Sequence, residues 1–559
     1  MADAEQNSGG PAVAMTASGQ GTPNVEQPWL DYQPRERMAV LAASILGSSM
    51  AFINGTAVTL ALDPIQEGLG ASLGDMLWIA SIYMMFLASL MLIGGSLGDF
   101  YGRRAVFAWG VGVFSLGSLA CGIAPTEEIL IAARAAQGIG AALLTPMSLT
   151  LIANAFDREH RGSAIGIWSA ASALMTGLGP PIGGILAEQV SWRWIFFMNI
   201  PFGLAALAIT LLMTTSRPPP RQPDRIDWKG AVLAIIGCGG IAFGLITLSE
   251  TRNVEPMSFL TSVWGLAILI GIIAIGVLIR VERTARTPMA PPRLFESSMF
   301  NAVNVVTMLI YGALGGIFVF YPIVLNDAWG YSVDQSGIAF LGFAVPMVMI
   351  TTISGYLMKR VGVRLMLAAG SLTCALAFCS MGVFPWSDSI FGAFMSMLIF
   401  GVGMALVAPA MTTAIFNATP EDSHGAASGI NNALARAATL FAIVGFGVIS
   451  AFAYERAGGM IAEVIDYGAG DYLYGEQAEI YKAAMAESFR ALVWVCVALS
   501  FASAMVAAFF IDDTIEKQSF ETRPKHQIFG FLRMFETAPS RERDLDRDPD
   551  SSDKAGKET

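Results

Sequence analysis

Between Met38 and Ile511 the chain alternates about fourteen apolar blocks with short polar loops. A helix that crosses a bilayer needs roughly 20 predominantly apolar residues, and each block is about that long. With 54% hydrophobic and only 14% charged residues, a mean hydropathy of +0.57 excludes a water-soluble globule. The 58 Gly and 29 Met suit close helix packing in lipid. The expected class is an all-α polytopic membrane protein.

The first six spans are expected at 38–62, 75–97, 105–124, 128–153, 164–187 and 194–214, forming an N-terminal bundle over 38–216. A Pro-rich basic stretch from Ser216 to Lys229 leads to two further spans, 230–249 and 258–279, in a central section over 217–299. Six more, at 300–325, 335–357, 366–384, 390–416, 426–452 and 489–511, make a C-terminal bundle over 300–511. Polar tails, 1–37 and 512–559, flank this six, two, six order, and Ile528, Phe531, Leu532 and Phe535 suggest a short interfacial helix in the second tail.

Charge placement matters more than the net charge of -11. Arg and Lys gather in alternate loops, with Arg35, Arg103, Arg104, Arg158, Arg161, Arg280, Lys359 and Arg364 on one side and Arg193, Arg252, Arg456 and Lys482 opposite. Both termini are therefore expected in the cytoplasm, with the protein in the inner membrane. No basic stripe interleaved with aromatics suggests nucleic acid. Cys121, Cys238, Cys374, Cys379 and Cys496 lie apart and fit neither a disulfide framework nor a metal site. The polar first 37 residues lack an apolar core, so no cleaved signal peptide is expected.

The two bundles share a repeat. Gly138, Gly140, Ala142, Leu143 and Pro146 recur as Gly401, Gly403, Ala405, Leu406 and Pro409, 263 positions on. Gly162 and Gly166 meet Gly425 and Gly429 at that offset, while Gly95, Leu97, Gly102 and Arg104 meet Gly355, Leu357, Gly362 and Arg364 at 260. Parallel repeats of this kind imply two halves around a midplane cavity. The halves differ where mechanism is expected: Asp99 faces Lys359 in the alignment, Arg134 faces Met397, and Gly179-Pro180-Pro181-Ile182-Gly183-Gly184 faces a stretch around Ala442 with no Gly-Pro element.

Three segments carry a family resemblance. Gly95 to Arg104, GSLGDFYGRR, resembles the loop between the second and third helices of the major facilitator superfamily. Leu130 to Ala142, with Arg134, Gln137 and Gly138, resembles its fourth-helix motif, and 179–184 resembles the fifth-helix motif of its antiporters. With Ser191 to Pro201 and the two central spans, the chain resembles the fourteen-helix drug:proton antiporter branch. The resemblance implies two six-helix bundles plus two extra helices, a proton gradient in place of a cofactor, and alternating access.

It also implies roles. Gly95, Asp99, Gly102, Arg103 and Arg104 would latch the cytoplasmic gap. Arg134 and Gln137 would serve proton coupling, and Gly179, Pro180, Gly183 and Gly184 would seal against back-leak. Asn54 stands where many relatives carry Asp, and Met175 where the extended motif usually has Gly. No carboxylate lies well inside a span, and Asn54, Arg134, Gln137, Asn431, Asn432 and Arg436 make up the embedded polar set. Asn54, Trp78, Tyr83, Asn431, Asn432 and Arg436 are the substrate-binding candidates, with Trp168 and Phe196 as further aromatic candidates.

The expected function is export of an amphipathic small molecule, driven by proton entry. An exporter of an endogenous anionic or neutral lipid or metabolite is the alternative, and a non-transporting receptor or scaffold the alternative of another class. An enzyme is not expected, since no nucleophile-base pair or metal cluster is recognisable. A Walker motif is absent, so ATP has no support as energy source. Protons, the bilayer and the small molecule are the expected partners, with a periplasmic adaptor left open.

Overall fold

The computed structural model describes residues 32–215, 228–251, 261–285, 288, 290–384, 389–420, 424–458 and 476–512. Among them are sixteen α-helices and no strand, and fourteen helical segments are long and apolar enough to cross a membrane. The first half runs α1 (Pro34–Ala57), α2 (Leu62–Leu69), α3 (Leu73–Tyr101), α4 (Arg103–Gly122), α5 (Glu127–Ala155), α6 (Arg158–Gln189), α7 (Trp194–Phe197) and α8 (Asn199–Met213). The extra pair is α9 (Trp228–Glu250) and α10 (Val263–Thr284). The second half runs α11 (Ser298–Ile323), α12 (Val333–Val361), α13 (Val363–Val383), α14 (Ile390–Asn417), α15 (His424–Gly458) and α16 (Glu476–Phe510). We call the face at which α1 begins the near face and the other the far face.

The repeat reappears as shared turn chemistry. Gly102 (φ 92°) joins α3 to α4 and Gly362 (φ 84°) joins α12 to α13, both in the left-handed region open to glycine. On the far face, Gly70 and Gly330 have φ of 69° and 68° and each precedes a capping box, Ser72 with Asp75 and Ser332 with Gln335. These pairs also stand 260 apart and extend the repeat beyond the matches read above.

The repeated Gly-x-Gly has a packing reason. A Cβ at Gly138 would stand 2.6 Å from the Tyr83 carbonyl oxygen on α3, and one at Gly401 would stand 2.5 Å from that of Phe343 on α12. The second glycine meets the next helix: Gly140 would come within 2.9 Å of the Gly110 carbonyl oxygen on α4, and Gly403 within 2.8 Å of the Gly370 carbonyl oxygen on α13. One motif thus brings two neighbouring backbones together in each half. Ala at Gly138 or Gly401 should cost about 1–3 kcal/mol, read as a lower unfolding temperature in detergent. Gly95, with no atom near its missing Cβ, should accept Ala without that loss.

The halves meet where α6 packs on α12 and α3 on α15, and α9 lies along α3 and α15 with α10 outside it. Trp78 of α3 packs against Phe243 of α9, with ring centroids 6.3 Å apart. Ile270, Ile272, Ile273 and Val277 leave α10 an exposed apolar surface suited to lipid.

One boundary differs markedly. Helix α16 starts at Glu476, well before 489, because its first turns are amphipathic. Tyr481, Ala484 and Met485 are buried and the Tyr481 hydroxyl donates to Asp327 over 3.1 Å, while Glu479, Lys482 and Glu487 stay outside. A hydropathy count penalises those charges and misses the buried stripe. The amphipathic stretch around Ile528 lies outside the described residues.

Candidate functional site

Arg134 sits two turns into α5 and is buried, 1% exposed. A guanidinium in hydrocarbon costs at least about 2.5 kcal/mol unless partnered, and here every partner is neutral. Its Nε donates to the Ile79 carbonyl over 3.1 Å, Nη1 donates to Gln137 Oε1 over 3.2 Å, and its carbon lies 4.7 Å from the Tyr83 ring centroid. The negative ring face supplies part of what a carboxylate would.

Gln137 joins three helices. Its Oε1 also accepts from Asn54 Nδ2 of α1 over 3.3 Å and from the Cys121 thiol of α4 over 3.4 Å, while its Nε2 donates to Ser118 Oγ over 2.8 Å. Asn199 of α8 donates to Asn54 Oδ1 over 3.4 Å, and the Tyr83 hydroxyl donates to the Ala51 carbonyl over 2.8 Å. The cluster is closed, since Asn54, Gln137, Asn199 and Tyr83 are all buried.

The near-face loop is partly a clamp. Arg104 donates through Nε to the Thr210 carbonyl (3.0 Å) and Thr214 Oγ1 (3.1 Å), and through Nη2 to the Leu211 carbonyl (2.9 Å). A cation there satisfies carbonyls that the end of α8 leaves without helical partners. Asp99 lies in the last turn of α3, and its side chain is outside the described residues. Arg103 is half-buried at the start of α4.

Helix α6 packs closely on both sides. Cβ atoms at Gly179 and Gly183 would strike Thr56 and Ala57 of α1, one at Gly177 would stand 2.9 Å from Ala344 Cα, and one at Gly184 2.7 Å from the Val333 carbonyl oxygen of α12. Pro180 has no N–H to give the carbonyl four residues back, which is that of Thr176. Thr56 Oγ1 donates to that carbonyl over 3.0 Å, so a side chain of α1 replaces the bond the proline removes.

In the second half, Asn431 Nδ2 donates to Asn304 Oδ1 over 3.0 Å and Thr307 Oγ1 over 2.6 Å on α11. Asn432 donates to the Ser428 carbonyl one turn back, 2.9 Å away. Both asparagines line a cavity of about 60 Å³ between α11, α14 and α15, with Tyr311, Thr412 and Ser428. The Arg436 guanidinium reaches across to α1 and stands 5.2 Å from the Phe52 ring centroid. On the far face Asn326 Nδ2 donates to Asp63 Oδ2 over 2.8 Å, and Ser336 Oγ donates to Asn326 Oδ1 over 2.6 Å, joining the halves.

The structure therefore gathers Asn54, Tyr83, Arg134, Gln137 and Gly138 in one buried cluster and Asn431, Asn432 and Arg436 on α15. Trp78 belongs to neither, since its ring contact is with α9; Trp168 packs edge-on to Phe52 and bonds Ser48. Phe196 is buried. Ser118, Cys121 and Asn199 were not among the sequence candidates, nor were Asn304, Thr307 and Tyr311. Asn199 carries a visible signal, a lone amide in an apolar stretch, whereas the hydroxyls are too common in spans to stand out.

Fourteen apolar helices in two repeated halves, with a glycine-packed seam and a sealed guanidinium on one side of it, define the architecture of a secondary transporter. The model of the Major Facilitator Superfamily matches residues 44–293 and 303–547, and the chain belongs to that superfamily. It is 30% identical over 401 residues to multidrug resistance protein Stp of Mycobacterium tuberculosis, covering 71% of this chain and 73% of that one. It is 31% identical to the methylenomycin A resistance protein of Streptomyces coelicolor (73% and 85% covered), and 31% identical to the tetracenomycin C resistance and export protein of Streptomyces glaucescens (70% and 71%). The fold matches a bacterial homologue of the human lysosomal transporter Spinster at TM-score 0.58 and 19% identity, covering 86% of this chain and 98% of that one.

Proposed function

We propose that the chain exports amphipathic small molecules from the cytoplasm by alternating access, with proton entry as the driving force. The near face is the cytoplasmic one, a reading supported by the Arg and Lys of its loops. The units over 38–216 and 300–511 rock about the α6–α12 and α3–α15 seams, with 217–299 alongside. Arg134 and Gln137 couple the proton to this motion, the 95–104 loop latches the near face, and the glycines of α6 seal the seam. The observation that carries the reading is a guanidinium buried among neutral partners in the first half, where the matching position of the second half is Met397, together with an α6–α12 seam at which Gly177 and Gly184 let backbones meet.

The resistance and export names of relatives point the same way. Inverted vesicles with an imposed inward-acid pH gradient test it, using tetracenomycin C and methylenomycin A as probes. Accumulation that collapses with a protonophore is expected for at least one of the two. Accumulation indifferent to the gradient would refute proton coupling.

A further inference from the structure

The two embedded arginines are not equivalent, since Arg134 is buried and Arg436 only partly so. Arg134 is held by a carbonyl, an amide and a ring inside a closed cluster. Arg436 has the Phe52 ring, and its Nε is buried with no hydrogen-bond partner. A guanidinium carries five donors, and burying one without an acceptor is costly. Arg436 makes no ion pair among the described residues.

The surroundings supply what is missing for a ligand rather than for a core. Arg436 lies one helical turn beyond Asn432, a residue of the 60 Å³ cavity. Tyr311, another lining residue, packs against the same stretch of α15: its carbonyl accepts from Thr439 over 3.3 Å, and its hydroxyl makes no hydrogen bond among the described residues. Asn431 and Asn432 spend their amide N–H groups on Asn304, Thr307 and Ser428, so the donors left for an anionic guest are those of Arg436 and Tyr311. Met411, Ile415 and Phe416 form the apolar wall.

We infer that Arg436, beside the lining residues Asn432 and Ala435, and the Tyr311 hydroxyl donate to the acidic head of an amphiphilic substrate, a carboxylate or a sulfate or phosphate monoester. The cavity holds a headgroup, and the apolar body lies along the Met411, Ile415 and Phe416 wall. Phe52 belongs to the other half, so an anion on Arg436 exchanges a contact across the seam for one with the substrate. This deepens the export reading by naming a substrate class.

The test is saturable binding of radiolabelled dodecanoate to the purified full chain in dodecyl maltoside, corrected for protein-free micelles. Arg436→Gln should weaken binding at least about tenfold and Tyr311→Phe by a smaller factor, the first because a charge-assisted hydrogen bond is lost. Arg436→Lys should retain part of it, and dodecyltrimethylammonium should not compete. Equal affinity in wild type, Arg436→Gln and Tyr311→Phe would overturn the seat. Displacement of dodecanoate by phosphatidylglycerol at a low mole fraction would give the seat to a lipid headgroup and overturn the substrate assignment. Gradient-driven export by the same wild-type preparation separates the two levels: if it persists while Arg436 proves irrelevant to dodecanoate, only the seat falls.

Discussion

Arg134→Gln should reduce gradient-driven export at least about 100-fold while the variant still inserts and purifies as a monodisperse protein. A proton taken up about 4 Å from Arg134 would meet about 4 kcal/mol of repulsion at an effective dielectric of 20, nearly a thousandfold in an equilibrium, and neutralising the arginine removes that response. The structural cost is smaller. Glutamine keeps a donor and acceptor beside Gln137, and the lost bond to the Ile79 carbonyl is worth about 1–3 kcal/mol. Arg134→Lys keeps the charge and loses the fork that reaches Ile79 and Gln137 together, so its rate should fall between the two. Downhill movement of substrate without a pH gradient should survive in Arg134→Gln. Wild-type gradient-driven rates in that variant would remove Arg134 from coupling.

Gly177→Leu and Gly184→Leu should each stall export by holding the far face open. Both glycines lie at the crossing of α6 with α12, where an added Cβ would sit 2.9 Å from Ala344 Cα or 2.7 Å from the Val333 carbonyl oxygen. Backbone cannot yield as a side-chain tip can, so the closed arrangement loses about 1–3 kcal/mol, a shift of roughly 5- to 150-fold between the two states. The far-face contact of Asp63 with Asn326 opens as well. A single cysteine at Asn326 should therefore react faster with an impermeant reagent in the Leu variants than in the parent. Unchanged labelling with normal export would show that this seam does not move.

Much of this architecture is legible in the chain because lipid makes periodicity and length decisive. The Gly-x-Gly repeat is visible because only glycine fits two backbone crossings, and Arg134 stands out because its counterpart is Met397. What sequence reading misses is set by partners on other helices. Asn54 reads as a cavity residue from its own helix, yet bonds to Gln137 and Asn199 draw it into a closed cluster. Trp78 reads as a substrate contact, yet α9 covers it, and nothing in α3 announces which neighbour will lie there. The replacement of the Thr176 hydrogen bond by Thr56 depends on two residues 120 positions apart.

In the proposed transport cycle the halves close at the far face and part there. Leu77 of α3 and Gly447 of α15 test it directly, because Leu77 Cγ stands 3.9 Å from where a Cβ at 447 would lie. Cysteines at both positions, in a chain freed of its five native cysteines, should form a disulfide on oxidation. Export should stop when the bridge forms and return when it is reduced. Undiminished export by the oxidised, fully bridged protein would contradict it.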